Sequence, residues 1–217
     1  MAIDASADGD SVVVHDGTYI ENLTIGKSLI IRSLPGPAEA FIVAVSRRPC
    51  VSFTGAHISV LDGFSIQGGQ AGPYVPSGIY IGPEVTAATV TNCVVTGNAG
   101  AGLYNDSGGL VLRDSIITDQ RPGPGLFLGG DDNLVEKCKI AGNENNGIVL
   151  QTNSNLTLVN SFVTGNFAAR GGGIAVGSQS SLHITNSTIA GNRGGDMIDN
   201  RGGGILLYGF NKVGIVN

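Results

Sequence analysis

The segments LTLVNSFVTGN (156–166) and LHITNSTIAGN (182–192) repeat one pattern, and this pattern decides the fold. In each segment, apolar and polar residues alternate on both sides of a central asparagine, Asn160 or Asn186. Alternation with a period of two is typical of β-strands, because successive side chains point to opposite faces of a sheet. Each segment is therefore predicted to hold two short strands that meet at the asparagine.

Three other segments share this pattern, and glycine-led apolar runs alternate with all of them. The segments are TVTNCVVTGN (89–98), LVLRDSIITD (110–119) and LVEKCKIAGN (134–143), and the runs are GIYI (78–81), GLYN (102–105), GLFL (125–128), GIVL (147–150), GIAV (173–176) and GILL (204–207). One unit thus comprises three short strands and about 22 residues. Since a single unit cannot bury its own apolar face, successive units are expected to stack.

The expected fold is all-β: a single-stranded right-handed parallel β-helix, a solenoid of about seven to eight coils. It is expected to form a single domain over residues 1–217, with a remnant N-terminal cap at 1–10 and a last incomplete coil at 202–217. The first third of the sequence is less regular. Its first coil is interpreted as the strands SVVV (11–14), NLTI (22–25) and SLII (28–31).

The residue at the centre of each segment is predicted to form a one-residue corner. These pivot residues are Asn92, Asp114, Lys137, Asn160 and Asn186. Such a corner needs a left-handed backbone, which asparagine tolerates better than other non-glycine residues. Stacked asparagine side chains are also expected to form a hydrogen-bonded ladder along the axis. The alternative is that asparagine serves there only as a turn residue.

Composition and charge exclude several classes of partner. The chain has 35 glycines and 13% charged residues, which suits short strands joined by tight turns. Its net charge is −5 and it has no basic stripe, so nucleic acid is not an expected partner. No apolar run reaches the roughly 18 residues of a membrane span, and the N-terminal residues lack the pattern of a signal peptide.

The cysteines and histidines do not suggest a metal centre. Cys50, Cys93 and Cys138 are too few and too scattered for a disulfide framework or a zinc site. Cys93 and Cys138 should lie two coils, or about 9.6 Å, apart, beyond the reach of a disulfide. Three free thiols are therefore predicted. The histidines share no coil position, so no metal site is expected from them.

Three stretches carry a resemblance to a known family: DGDSVVVHDGTYIENLTIGKSLIIRS (8–33), ISVLDGFSIQGG (58–69) and NSTIAGN (186–192). They resemble right-handed β-helix repeat proteins of the pectate-lyase-like superfamily. The resemblance implies a carbohydrate-binding or carbohydrate-processing protein that acts outside the cell or at its surface. The charged residues described below make an acidic polysaccharide its candidate ligand. An enzyme of this kind would be a polysaccharide lyase or a glycoside hydrolase. The alternative is a non-catalytic structural or interaction module, such as an adhesin, stalk or scaffold segment.

The two ends of the chain bear on this alternative. The family's N-terminal cap is an amphipathic helix, of which only the tail AIDASADGD (2–10) is recognisable here. At the other end an apolar stretch follows residue 202, and an uncovered coil end exposes strand edges and core. Either the chain is therefore a fragment of a longer protein, or a partner chain covers this end, for example by self-association through the C-terminal coil.

The most distinctive site candidates are aromatic residues at one outward position of three successive units. Tyr80, Tyr104 and Phe127 should stack as a stripe about 4.8 Å apart, a suitable platform for sugar rings. The alternative is that the rings only shield the sheet, under a neighbouring loop.

Charged residues flank this stripe on both sides. Acidic residues follow the strands, and arginines lie in the loops that precede them: Glu84, Asp106, Asp131 and Asp132 on one side, Arg121, Arg170, Arg193 and Arg201 on the other. Arg121 and Arg170 are candidates for binding a sugar carboxylate. Glu84, Asp106 and Asp131 are candidate Ca²⁺ ligands, because Ca²⁺ prefers carboxylate and other oxygen ligands. The alternative is that these are simply solvated turn residues.

Catalytic residues cannot be assigned from a motif. The Gly-His-Gly and Arg-x-Lys signatures of polygalacturonases and the Asp-Pro-His motif of alginate epimerases are absent. GGDDN (129–133) is similar to the paired-aspartate segment of polygalacturonases, which makes Asp131, Asp132 and Arg121 the candidates for glycoside chemistry.

Overall fold

The computed structural model describes residues 2–72, 74–195 and 202–216. In this part of the chain, three parallel sheets run along a right-handed β-helix, and each coil contributes one strand to each sheet in turn. Strands that are neighbours in a sheet therefore come from successive coils. The predicted all-β solenoid of about seven to eight coils is confirmed.

Most described strands belong to these three sheets, named A, B and C. Sheet A comprises β1 (Ser11–Val14), β4 (Ile30–Ser33), β7 (Ile58–Asp62), β10 (Ala87–Thr91), β13 (Leu110–Arg113), β16 (Asn133–Glu136), β19 (Asn155–Val159), β23 (Ser181–Thr185) and β27 (Lys212–Val216). Sheet B comprises β2 (Gly17–Ile20), β5 (Ala40–Val43), β8 (Ser65–Gln67), β11 (Val94–Thr96), β14 (Ile116–Thr118), β17 (Lys139–Ala141), β20 (Phe162–Thr164) and β24 (Thr188–Ala190). Sheet C comprises β3 (Leu23–Ile25), β6 (Val51–Phe53), β9 (Pro76–Ile81), β12 (Ala101–Asn105), β15 (Leu126–Leu128), β18 (Ile148–Leu150), β22 (Ile174–Val176) and β26 (Ile205–Leu207). The short strands β21 (Phe167–Ala168) and β25 (Arg193–Gly194) pair separately.

The core follows from the alternation of side chains in these strands. Successive coils place inward residues in columns, such as Ile79, Leu103 and Leu126 in sheet C, and all three are fully buried. Burying each such side chain contributes about 1.5–3 kcal/mol. Leu207 lies opposite the buried Val176 in the same sheet, and it is 45% exposed because no described coil covers it.

The helix α1 (Ala2–Ala5) lies at the N-terminal end of the solenoid. The Lys27 ammonium donates hydrogen bonds to the carbonyls of Ile3, Asp4 and Ser6 at 2.7–3.1 Å, and Ile3 packs against the core. A cavity of about 230 Å³ with apolar walls remains between this helix and the first coils. Among the described residues, no helix has the length and hydropathy needed to cross a membrane.

The predicted composition of the first coil was wrong in one respect. The stretch 28–31 leads into β4, which pairs with β1 (Ser11 lies opposite Ile30), so it opens the second coil. The first coil instead comprises β1, β2 and β3, and β2 follows β1 after a short turn. The regular spacing also fails here, since Ile30 lies opposite Val60, whereas Thr89 lies opposite Val111.

The pivot residues adopt the predicted left-handed backbone. Their φ angles lie between 46° and 53°, and all five side chains are exposed: Asn92, Asp114, Lys137, Asn160 and Asn186. Because their side chains face solvent, they do not build the interior ladder.

An amide ladder is present, but at a different position from the one predicted. It runs inside the corner between sheets B and C, through Asn98, Gln120, Asn143, Asn166 and Asn192. The Asn143 amide donates to Asn166 Oδ1 at 2.8 Å, and the Asn166 amide donates to Asn192 Oδ1 at 2.9 Å. Four of these residues follow left-handed glycines, which turn the next side chain inward, as Gly142 does for Asn143, and Gln120 follows the left-handed Asp119.

The first residue after each pivot forms a second polar column. In it, the backbone N–H of Cys93 donates to Ser115 Oγ and that of Cys138 to Ser161 Oγ, both at 3.1 Å. Cys50, Cys93 and Cys138 are buried and free, which confirms the predicted thiols. Burial raises the pKa of Cys50 to about 11, and that of Cys93 and Cys138 to about 12.

The C-terminal end of the described chain is apolar and open. β27 pairs with β23 so that Val213 and Ile215 continue the buried columns of Leu182 and Ile184. Val213 is 39% and Ile215 58% exposed. The adjacent Phe210 is 93% exposed.

Candidate functional site

Sheet C places the three predicted aromatic residues side by side. Tyr104 of β12 lies opposite Tyr80 of β9 on one side and opposite Phe127 of β15 on the other. The three side chains point outward because their neighbours along each strand fill the core. We call Tyr80, Tyr104 and Phe127 the aromatic column.

The rings of the column form a continuous surface. The Tyr104 and Phe127 rings are stacked, with centroids 4.6 Å apart and planes inclined by 21°. The Tyr80 and Tyr104 rings are tilted by 56° at a centroid distance of 6.0 Å. All three residues are half-buried, so part of each ring faces solvent. Such a surface can accept the flat apolar face of a ring-shaped ligand.

A fourth aromatic residue, Tyr74, completes the site and was missed by the sequence analysis. It belongs to the loop before β9, yet its ring lies edge-on to Phe127 at a centroid distance of 5.9 Å. Its hydroxyl donates to Asn145 Oδ1 at 2.9 Å. Tyr74 has a φ of 59°, an uncommon conformation for a bulky residue, and is 46% exposed. The loop therefore forms a wall beside Phe127 and leaves part of the column open.

Asp106 is the acidic residue in closest contact with the column. The Tyr80 hydroxyl donates to Asp106 Oδ2 at 3.2 Å. Burial raises the pKa of both Tyr80 and Tyr104, and the negative charge of Asp106 raises it further. Both phenols therefore stay neutral hydrogen-bond donors over the physiological pH range.

The other acidic residues lie in the turns after the same strands, as predicted. Glu84, Asp106, Asp131 and Asp132 are all exposed. Asp131 Oδ1 accepts a hydrogen bond from the Asn155 amide at 2.9 Å, while Asp132 has a left-handed backbone with φ 59°. Within the described ranges, no three His, Cys, Asp or Glu side chains converge on one point. The structure therefore does not bring the candidate Ca²⁺ ligands Glu84, Asp106 and Asp131 together into such a cluster.

Arg121 lies at the opposite end of β15, as predicted, but it is already paired. Its guanidinium lies 3.7 Å from Asp119 Oδ1 and 3.4 Å from Glu144 Oε1. Among the described ion pairs of Arg121, none involves Asp131 or Asp132. Arg121 thus lies at one end of β15 and the adjacent Asp131 and Asp132 at the other, and no described ion pair joins them.

The remaining arginines lie on later coils. The Arg170 carbonyl accepts a hydrogen bond from the Asn146 amide at 2.7 Å. Arg193 begins β25 and is exposed. Arg201 lies outside the described residues. The predicted groove therefore has its arginines mainly beyond Phe127 and its acids beside the aromatic column.

The outward face of sheet C continues past Phe127 as a shallow depression. Val149 and Ala175 follow Phe127 in the same row, and Tyr208 stands at the far side. The depression has a volume of about 360 Å³. It extends the apolar surface of the column in the direction of the solenoid axis.

Known proteins resemble the chain in sequence and in fold. The sequence model of the family described as "Right handed beta helix region" matches residues 50–217. A cell surface glycoprotein of Methanothermus fervidus is 32% identical over 93 residues, which make up 43% of this chain. The matched part amounts to 15% of that protein, so the chain spans only a small portion of its length.

A solved structure resembles the fold of nearly the whole chain. It is a crystal structure of pectin methylesterase in complex with hexasaccharide VII. The TM-score is 0.50 at 13% sequence identity, over 96% of this chain and 75% of the other. At this identity the likeness concerns the fold alone.

Proposed function

Because the chain belongs to the right-handed β-helix family, we propose that its sheet C binds glycan chains, with the aromatic column as the platform. The observation that carries this proposal is the register of Tyr80, Tyr104 and Phe127, whose half-exposed rings lie in one row. A row of aromatic faces matches a polymer of rings better than a single small ligand. Fold alone would not justify this assignment, since one fold serves many functions.

Three further observations support the same proposal. The phenol of Tyr80 and the carboxylate of Asp106 supply a hydrogen-bond donor and an acceptor beside the rings. The depression beyond Phe127 lengthens the surface to accommodate further sugar units. The similarity to a cell surface glycoprotein supports a location at the cell surface.

The proposed role is binding, because two of the three catalytic candidates already contact other side chains. Asp131 is bonded to Asn155, and Arg121 is paired with Asp119 and Glu144. An acid and a base on the two sides of a scissile bond are what glycoside hydrolysis requires. If the chain has such an activity, Asp131 and Asp132 are the residues to test first.

The test of the binding proposal is Tyr104→Ala, measured by affinity electrophoresis against a panel of soluble polysaccharides. Loss of the central ring should weaken binding about tenfold, since an aromatic contact contributes on the order of 1 kcal/mol beyond its burial. Tyr104→Phe keeps the ring and should bind nearly as the unaltered protein does. Phe162→Ala is the matched control, because Phe162 is an exposed aromatic residue on sheet B. Equal binding by Tyr104→Ala and Phe162→Ala would reject the proposal.

A second candidate function is that of a structural or interaction module. The observation that favours it is the open apolar end formed by Phe210, Val213 and Ile215. Large exposed apolar surfaces mark contacts with other proteins, and unpaired strand edges favour pairing with another chain. The partner proposed for this end is a second copy of the same chain.

A further inference from the structure

We propose that the aromatic column takes neutral glycan chains and discriminates against polyanionic ones. This inference rests on the proposed glycan-binding function of sheet C and adds to it the charge class of the ligand. It departs from the acidic polysaccharide that the row of arginines suggested from the sequence. Three features of the site lead to it: the sign of the surrounding charges, the pairing of Arg121, and the position of Asp106.

The charges beside the aromatic column are mainly negative. In the loops and turns that flank β9, β12 and β15, the charged residues are Glu84, Asp106, Asp119, Arg121, Asp131 and Asp132. The five acids are exposed, and successive coils are only about 4.8 Å apart. Since charges act over a Debye length of about 8 Å at physiological salt, a bound uronate would feel several of them together.

Arg121 does not offset this negative charge. Its guanidinium contacts Asp119 of its own loop and Glu144 of the next, at 3.7 and 3.4 Å. A ligand carboxylate would have to compete with both for the bidentate geometry that arginine offers. Arg47 and Arg170 lie in the corresponding loops of other coils, outside the three coils that carry the column.

Asp106 brings negative charge directly to the rings. It accepts the Tyr80 hydroxyl at 3.2 Å, and its charge raises the pKa of both Tyr80 and Tyr104. A carboxylate in this position can accept hydrogen bonds from the hydroxyl groups of a neutral sugar. The same carboxylate repels a sugar acid. The column therefore combines stacking with a hydrogen-bond acceptor that selects by charge.

The test compares pairs of polymers that share a backbone and differ in charge. Hydroxyethyl cellulose is paired with carboxymethyl cellulose, and fully methyl-esterified homogalacturonan with polygalacturonate. Binding is measured by affinity electrophoresis and calorimetry at low and high salt. The neutral member of at least one pair should bind at least tenfold more tightly, and the difference should shrink at high salt, because salt screens repulsion.

One variant and its control test whether Asp106 causes the discrimination between neutral and anionic polymers. Asp106→Asn keeps an oxygen acceptor for Tyr80 and removes the charge, so the preference for the neutral polymer should fall about twofold to fivefold. Glu39→Gln is the control, because Glu39 is exposed next to sheet B. An equal effect of the two variants would overturn the role of Asp106.

The outcomes separate this inference from the function on which it rests. Tighter binding to the anionic member of the pairs, weakened by Tyr104→Ala, would overturn the neutral-glycan inference and leave glycan binding in place. Absence of binding to every polymer, neutral or anionic, would contradict both. Binding that prefers the neutral member and depends on Tyr104 supports both.

Discussion

At the scale of single residues, the corner between sheets A and B requires a left-handed backbone. Four of the five pivots are Asn or Asp, which tolerate this conformation, and the fifth is Lys137 with φ 53°. The recurrence of asparagine in the sequence was enough to predict the conformation at all five. The Lys137 side chain is exposed, so the constraint identified at this position is the left-handed backbone.

Lys137→Asn is therefore expected to stabilise the protein. Asparagine should relieve part of the left-handed strain and raise the free energy of unfolding by about 0.5–1 kcal/mol. Urea unfolding measures the change. Lys139→Asn serves as the control, since Lys139 is an exposed strand residue of β17 and should gain nothing. A lower midpoint for Lys137→Asn than for the unaltered protein would contradict the expectation.

The buried thiols predict how stability depends on pH. Cys93 has its pKa raised to about 12 from a usual 9.0, because burial disfavours the thiolate. The folded state thus keeps the proton after the unfolded chain has lost it. The contribution of the protonated Cys93 thiol to the free energy of unfolding is fully present below pH 9 and is lost as pH rises from there towards 12.

Cys93→Ser tests this dependence, because serine already occupies the equivalent positions 115 and 161. The urea midpoint of the unaltered protein should fall more steeply between pH 8.5 and 10.5 than that of the variant. Both proteins also titrate their other cysteines and tyrosines, which cancel in the comparison. Parallel pH curves would show that the Cys93 thiol does not contribute.

At the scale of elements, the amide ladder illustrates what the sequence can and cannot reveal. Each repeat carries two polar residues at fixed positions, for example Asn160 at the pivot and Asn166 after a left-handed Gly165. Periodicity predicted that amides would stack, but not which of the two positions faces inward. That depends on the backbone conformation at the glycine, which turns Asn166 into the core and leaves Asn160 in solvent.

Removing one amide of the ladder should be costly. Asn143→Ala deletes the bond to Asn166 Oδ1 and the acceptor for the Gln120 N–H, and leaves buried groups without partners. The expected loss is about 1–3 kcal/mol in urea unfolding. Glu144→Ala, at the exposed neighbouring position, should cost less than about 1 kcal/mol. Similar losses in the two variants would mean that the ladder adds no stability of its own.

Strand prediction succeeded where the loops keep one length and failed where they do not. In the middle coils Val111 lies opposite Leu134, close to the repeat read from the sequence. In the first third, loops of different length displace the register, so that Ile30 pairs with Val60. A solenoid tolerates such loops because they project outward and leave the core columns intact. Spacing alone therefore cannot assign strands to coils there.

At the scale of the whole molecule, the same limit applies to the candidate site. The aromatic column could be predicted because it lies on strands and obeys the repeat. Tyr74 could not, since its loop crosses from the coil of β9 to reach Phe127 and Asn145. Its position depends on a tertiary contact that no sequence period encodes. The pairing of Arg121 with Glu144 joins two loops in the same way.

The open end of the solenoid predicts self-association. Val213 and Ile215 continue the core columns in the last described coil and are exposed, and Phe210 is almost fully exposed beside them. A second copy that packs against this end would bury these side chains and cover the edge strands. Burial of one large apolar side chain contributes about 1.5–3 kcal/mol, so Phe210→Ser should weaken the dimer at least tenfold.

Sedimentation velocity over a range of concentrations measures this association. The unaltered chain should shift from monomer to an elongated dimer as its concentration rises, and Phe210→Ser should remain monomeric over the same range. Phe162→Ser is the control, since Phe162 is exposed on sheet B away from this end. Because Phe210 lies in a turn outside the core, its replacement should leave the thermal midpoint of the monomer nearly unchanged. A monomer at every concentration, or a dimer that tolerates Phe210→Ser, would contradict self-association through Phe210 and the C-terminal coil.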